Sequence, residues 1–514
     1  MTEDESQIHS ELRNRIQVKY RRNKLKLDYY DMKNKLDYIG FSIPDDMKEL
    51  EVVIGWAAKA VNVPSARIRR TGFAGADSDT LTELRELDET TEFRRLESLA
   101  QHAAAQTSCS FMFFTPGNEE AGEPEVITTV RDSTMASAAI DPRTHQVTAG
   151  LEVVDRNNHL LYLPYVTLGL ELRGRKWVVA SEYDTHTRRV RCSPYMWAPE
   201  LRRPFGSSRI NRAVMRHIDR AVRTILRQET NAEFYSAPRG VLEDAHNSAF
   251  YDKDGKRIDP MRAIGAIWGI PGYRDLETGD MRTPAFKQLS QASFQPHSEL
   301  LKSVAMNFHA ETDIPLGQLG VVHDNPSSAD AIRAAEDGLI AVCMNQKDFY
   351  AYSAKRSALA LLSFGKSEAE MRDIEREMSK IRPKYSNPAT PTPGAQADSG
   401  SKFVGAFPDL QGSRVALERF GMDSEEIAEL EEYRKQQGQQ SILQQALESS
   451  AGRPAQQGEQ AKTLHPKEEL KLSAEILGNL RRAGVTAESA AQIAGITGAE
   501  FIPGAPETIR TPEE

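Results

Sequence analysis

Only three cysteines occur in 514 residues, Cys109, Cys192 and Cys343, far apart and odd in number. This excludes a disulfide framework and a cysteine-held zinc, and it is the usage of a chain that folds in a reducing cytoplasm. Long apolar runs are missing as well. No stretch of 18 or more apolar residues is present, so no membrane span is expected. The opening MTEDESQ lacks the apolar core of a secretory signal. The eleven histidines form no H-x-x-x-H or H-E-x-x-H pair, and no G-x-S-x-G turn exists to present a nucleophile. The Gly-Lys-Ser within 363–370 is not a phosphate loop, because Ala360 stands where that motif needs glycine and a helical pattern precedes it. The Asp252–Gly255 stretch has its glycine too early for a calcium loop and reads as a tight turn. No catalytic site, metal or cofactor is expected.

What is present is a soluble, multidomain composition, 39% hydrophobic and 27% charged. The net charge of −9 argues against a nucleic-acid binder held by counterion release. The charge is segregated, however: residues 12–35 are rich in Lys and Arg, while 83–97 and 424–432 are acidic. Runs of this kind are most often solvated helix faces. For 12–35 a contact with another macromolecule stays open beside that reading.

Helical periodicity fills the chain to about residue 108, in 25–36, 45–62 and 81–107, with a short strand ending near Gly72. From 109 to 195 the period changes to β-branched and aromatic runs cut by turns, an antiparallel sheet module with RGRK as a hairpin tip. A helix then opens after Pro204, with Ser207 or Ser208 as cap, and runs to about Tyr235. Short strand candidates occupy 236–295. Helix resumes at Pro296 and stops at Ile314–Pro315. A loop with Pro315, Gly317, Gly320 and Pro326 follows, then a long helix from about Ser328 to Phe364 closed by Gly365. The Pro-rich 381–398 reads as an extended link. Two helix–Gly–helix units, 412–430 and 473–496, flank a Gln/Ser/Gly-rich linker at 436–466.

Two features stand out. Arg209, Arg212, Arg216, Arg220, Arg223 and Arg227 recur at helical spacing and form one stripe. It admits three readings: facing DNA, pairing with acids of a neighbouring subunit, or an ordinary wet face. The loop 312–327 is long enough to be functional, and Asp313 and Asp324 are its charged residues, with His323 able to gain a proton.

The ordered segments resemble a family, the portal proteins of tailed bacteriophages, in particular those of actinobacterial phages. The resemblance is carried by LDYYDMKNKL, VVIGWAAKAVNVPSARIRRTGF, PFGSSRI, AEFYSAPRGVL, IPLGQLGVVHDNPSSADAIRAAEDGL and LGNLRRAGVTAESAAQIAGI. Met32 departs from the glycine common after the family's Tyr-Tyr-acid. The resemblance implies an α+β, mainly helical, ring-forming fold with wing, stem, clip and crown. By it, 1–205 is the wing, 206–235 and 296–311 the stem helices, 236–295 the clip and 312–327 the channel loop. Residues 328–366 are then the long helix to the wing, 367–437 the wing return and crown-side helices, and 438–514 a flexible linker with a C-terminal helical unit.

The same resemblance implies a twelve-subunit ring at one capsid vertex of the virion, made in the host cytoplasm. Double-stranded DNA would pass through it without sequence recognition during packaging, retention and ejection. The expected partners are the terminase large subunit, the major capsid protein and scaffold, and a head-tail adaptor, with no membrane. Asp313, Pro315, Gln318, His323, Asp324 and Asn325 are the candidates to face the DNA. A packaging-apparatus enzyme, motor or nuclease, and a helical adaptor without a channel are the competing classes. The missing phosphate loop speaks against the first.

Overall fold

A computed structural model describes residues 1–437, apart from 41–42, 77, 119, 121, 236–239, 245, 247–250, 252–253, 258–271, 276, 289–292, 321–328, 390–392, 423–425, 428 and 435–436. Compactness divides the chain into two units, Met1–Gly421 and Met422–Glu514. The first unit is mainly helical with small antiparallel sheets.

Its N-terminal part holds α1 (Glu3–Tyr30), α2 (Asp45–Lys48), α3 (Trp56–Arg67), β1 (Arg70–Ala74), α4 (Asp79–Thr90) and α5 (Phe93–Thr107). The sheet module follows as β2 (Cys109–Pro116), β3 (Val126–Asp132), β4 (Ala136–Ile140), β5 (Val147–Val153), β6 (Asn158–Leu163), β7 (Val166–Arg173), β8 (Lys176–Asp184) and β9 (Cys192–Met196). Then come α6 (Arg212–Tyr235), β10 (Gly240–Glu243), β11 (Tyr273–Arg274), β12 (Met281–Arg282), β13 (Ala285–Gln288), α7 (Gln295–Thr312) and α8 (Ala329–Leu361). The unit ends with α9 (Glu368–Met378), β14 (Arg382–Tyr385), α10 (Pro393–Ala406) and α11 (Arg414–Arg419).

The sheet module is a five-stranded meander, β4-β5-β6-β7-β8, beside a three-stranded sheet ordered β3-β2-β9. The RGRK tip joins β7 to β8 with Arg173 opposite Lys176, and Gly174 takes the left-handed conformation that so tight a turn requires. Helix α1 lies on the meander: Leu12 and Ile16 bury with Leu151, Leu161 and Leu168. Beside them His9 and His159 share a 2.9 Å hydrogen bond and flank Trp177. Burial holds both imidazoles down to about 4. The basic 12–35 run is therefore amphipathic in its first half, with only its outer face charged.

Three expectations are corrected. The helical pattern of 81–107 is broken by Glu92 in the left-handed region, giving α4 and α5. The acidic run there is not wholly solvated. Asp88 and Glu97 are buried around Arg70: Asp88 accepts both guanidinium nitrogens at 2.9 and 2.6 Å, and Glu97 accepts Nε and the Tyr385 hydroxyl at 2.7 Å. Buried carboxylates persist only when matched in this way. The Pro-rich link also begins as a strand, since β14 pairs antiparallel with β1; the core thus joins residues some three hundred positions apart. The unit 473–496 and the linker 438–466 lie outside the described residues.

The Gly-Lys-Ser of 363–370 is a helix-to-helix turn. Gly365 is left-handed, and Ser367 caps α9 in a reciprocal box with Glu370.

Candidate functional site

Helices α6 and α7 pack antiparallel, with Asn211 at the start of one donating to Glu311 at the end of the other (2.6 Å). The cap of α6 is Asn211, whose Oδ1 accepts from Val214 N at 2.9 Å. Neither Ser207 nor Ser208 takes that role. Ser208 donates to the Gln106 carbonyl and accepts from Ile210 N, so the chain bends at 209–210 and the helix starts later than its periodicity suggests.

That late start removes Arg209 from the stripe. Its Nε donates to the carbonyl of Ala60 at 2.9 Å and its Nη2 to that of Thr312 at 2.5 Å, and the guanidinium lies 5.5 Å from the centre of the Trp197 ring. Both acceptors have a physical reason to be free. Ala60 sits four residues before Pro64, which has no N–H to give it, and Thr312 is the last residue of α7. Burial lowers the Arg209 pKa, against Cys343, Asp313 and Glu311. Arg209 is thus a clamp between a proline-broken helix and the helix that leads into the loop.

The other five arginines do lie on α6. Arg212, Arg216 and Arg220 are exposed. Arg216 pairs with Asp219 at 3.0 Å, and Asp219 also accepts the Tyr29 hydroxyl at 2.7 Å. Burial, then Asp219, raises that phenol's pKa. Arg223 and Arg227 are half-buried, Arg223 donating to the Tyr38 carbonyl at 3.4 Å. The opposite face is apolar, with Val214, Ile218, Ala221, Val222 and Leu226 buried.

The loop is anchored in its first half. Asp313 adopts the left-handed C-cap of α7, and its carboxylate stands against Gly338 of α8, where an added Cβ would meet Oδ1 at 3.0 Å. Ile314 and Leu319 are buried, Pro315 is buried as well, and Gln318 is half-exposed in a 3₁₀ turn, Leu316–Leu319. His323, Asp324 and Asn325 lie outside the described residues, as does the cap proposed at Ser327.

Helix α8, about 50 Å long at 1.5 Å per residue, is fastened along the sheet's edge strand. Gln346 accepts from Ala198 N and donates to the Met196 carbonyl, both at 2.8 Å. Ser353 donates to Pro194 O at 2.9 Å, and Ser357 meets the Tyr195 hydroxyl at 3.1 Å. Residues 346, 353 and 357 share one helix face; Gln346 and Ser353 satisfy backbone groups at and just beyond the outer edge of β9, and Ser357 meets a side chain of the same strand. Nearer its start, Glu336 takes a bidentate pair from Arg67 of α3 (2.8 and 3.2 Å). Sequence inspection missed this row because isolated Gln and Ser on a helix carry no pattern.

Two segments that carried the resemblance meet here. Tyr30 donates to Asn62 Oδ1 at 2.9 Å, and His102 Nε2 lies 2.9 Å from the same oxygen; Tyr29 reaches α6 through Asp219. Among the described residues, no group of three or more His, Cys, Asp or Glu is placed to hold a metal, and no helix is long and apolar enough to cross a membrane.

Homology bears out the portal resemblance. Curated proteins named "Portal protein" are homologues of this chain. That of Mycobacterium phage L5 is 24% identical over 385 residues, 71% of this chain and 75% of the relative. That of Mycobacterium phage D29 is 24% identical over 420 residues, 77% and 81%. No family model matches. Solved chains from "Neck of empty GTA particle computed with C6 symmetry" and "Neck of native GTA particle computed with C12 symmetry" are similar at 12% identity, with TM-scores of 0.39 and 0.38, each over 71% of this chain and 89% of the other. At those scores the likeness carries no argument.

Proposed function

We propose that this chain is a phage portal subunit. It assembles into a closed ring at one capsid vertex, through which double-stranded DNA is packaged, retained and ejected and to which the packaging motor and then the head-tail adaptor dock. The observation that carries this is the homology to two mycobacteriophage portal proteins over most of the chain. The anatomy is compatible with it. Helices α6 and α7 act as the stem, 236–295 as the clip and 312–327 as the channel loop, while α8 links that loop to the wing.

In this reading the chain has no catalytic step. A ring repeats one loop at one height around the bore. Between Thr312 and Ser327 the loop has no Lys or Arg, so it adds no counterion-release grip on sliding phosphate. Of the described loop candidates, Gln318 is half-exposed and available to DNA, whereas Pro315 is buried and Asp313 stands against Gly338. Negative-stain electron microscopy of the purified chain tests the reading. Rings of about a dozen subunits with a central hole support it, and particles without a hole at every concentration overturn it.

A further inference from the structure

Two sequence features without a role, the basic run 12–35 and the first arginines of α6, come together in one groove of about 840 Å³. Lys19, Arg22, Lys26 and Lys35 line one side. Arg202, Arg203, Arg212 and Arg216 line the other, and Asp37 is the single carboxylate of the lining. Arg22, Lys35, Arg202 and Arg212 are exposed and form no ion pair among the described residues. The lining also has apolar members, Leu25, Phe205 and Met215. Within it Lys26 is buried, donating to Asn23 Oδ1 at 3.2 Å and the Thr107 carbonyl at 2.9 Å. Burial, with Arg22 and Lys19 nearby, pushes its pKa down to about 8.

We propose that this groove receives an acidic segment of a second copy of this chain, so that it is a subunit-to-subunit contact; this rests on the ring reading above. The groove asks for anionic groups that also bring apolar atoms to Leu25, Phe205 and Met215. Duplex DNA supplies only phosphates on a stiff rod whose persistence length is about 150 bp, whereas a peptide supplies carboxylates and side chains together. The chain itself carries such a segment. Asp45, Asp46, Glu49 and Glu51 are all exposed, next to Leu50 and Val53, 45% and 51% exposed, and none of these residues lines the groove. A groove and a complement made of different residues give a head-to-tail contact, the kind that closes into a ring. Arginine dominates the far wall, as suits bidentate recognition of carboxylates.

The test uses the full chain and reads ring fraction against concentration by mass photometry, with circular dichroism and melting to confirm the fold. R22E/R202E/R203E reverses three exposed cations, none held by a carboxylate, and is expected to need at least about tenfold more protein to form rings, because like charges then face each other. D45K/D46K/E49K is expected to show the same defect, and equimolar mixing of the two variants to recover mixed rings. Rings from R22E/R202E/R203E at the wild-type concentration overturn the assignment, as does loss of duplex-DNA binding in that variant with assembly intact. A wild-type chain that never forms rings overturns the portal reading itself, which is a different result.

Discussion

Replacing Arg209 with Met keeps a long apolar stem and removes both donors that hold Ala60 and Thr312. A hydrogen bond from a charged donor contributes about 1.5–3 kcal/mol net, and a buried carbonyl left alone costs about 1–3 kcal/mol. Relief from burying the guanidinium offsets part of this, so R209M is expected to lose about 2–4 kcal/mol. The reason for the interaction gives a sharper test. Ala60 has a free carbonyl because Pro64 has no N–H, so P64A returns a helical donor to the same oxygen. P64A in the R209M background is expected to recover about 1 kcal/mol more than P64A alone, a coupling visible in a double-mutant cycle. Urea unfolding followed by tryptophan fluorescence is the assay. Trp197 lies under the guanidinium, and Trp56, at the start of α3, packs on Phe308. A cost below about 0.5 kcal/mol for R209M, or strict additivity with P64A, refutes the clamp.

Arg70→Met leaves Glu97 without its cation and Asp88 with only the longer pair to Arg94 at 3.7 Å, and is expected to cost about 3–5 kcal/mol; an R70M midpoint equal to wild type would show that the core does not depend on the triad. Gly206 is left-handed, and a Cβ there would lie 2.2 Å from the Trp197 carbonyl. G206A is therefore expected to lose at least about 2 kcal/mol in the same assay, and a neutral G206A removes that argument. The folded-state pKa of about 4 for His9 and His159 lies below the usual imidazole value of about 6.5. The unfolded chain binds the extra protons first, so stability is full above about pH 6.5 and falls toward pH 4. Unfolding free energies between pH 7 and 4 are expected to drop more steeply for wild type than for H9L/H159L, and parallel curves would contradict the pairing.

Much of the fold was legible because it rests on local periodicity. The positions of α6, α7 and α8, the switch to strands after residue 108 and the RGRK hairpin follow from spacing and turn chemistry, and the ordered motifs point to portal proteins. Three helical stretches failed: 45–62 splits into α2 and α3 around a non-helical 49–54, and the other two have a stated reason. Periodicity does not register Glu92's backbone reversal, nor Ser208 turning its hydroxyl to the Gln106 carbonyl and delaying α6 to Asn211.

By itself the sequence determined most of the elements, the absence of recognisable catalytic motifs and the resemblance to portal proteins. Only the tertiary structure decided how the charges are used. A stripe of six arginines on paper became a half-buried clamp at Arg209, two further half-buried side chains at Arg223 and Arg227, and three exposed cations. The last of these include Arg212 and Arg216, which share a groove with a basic run nearly two hundred residues earlier. Acids that read as solvated became the buried partners of Arg70, and a proline-rich link became the strand paired with β1. Helical spacing reports which residues share a face, whereas burial and partners depend on what packs against that face from distant parts of the chain.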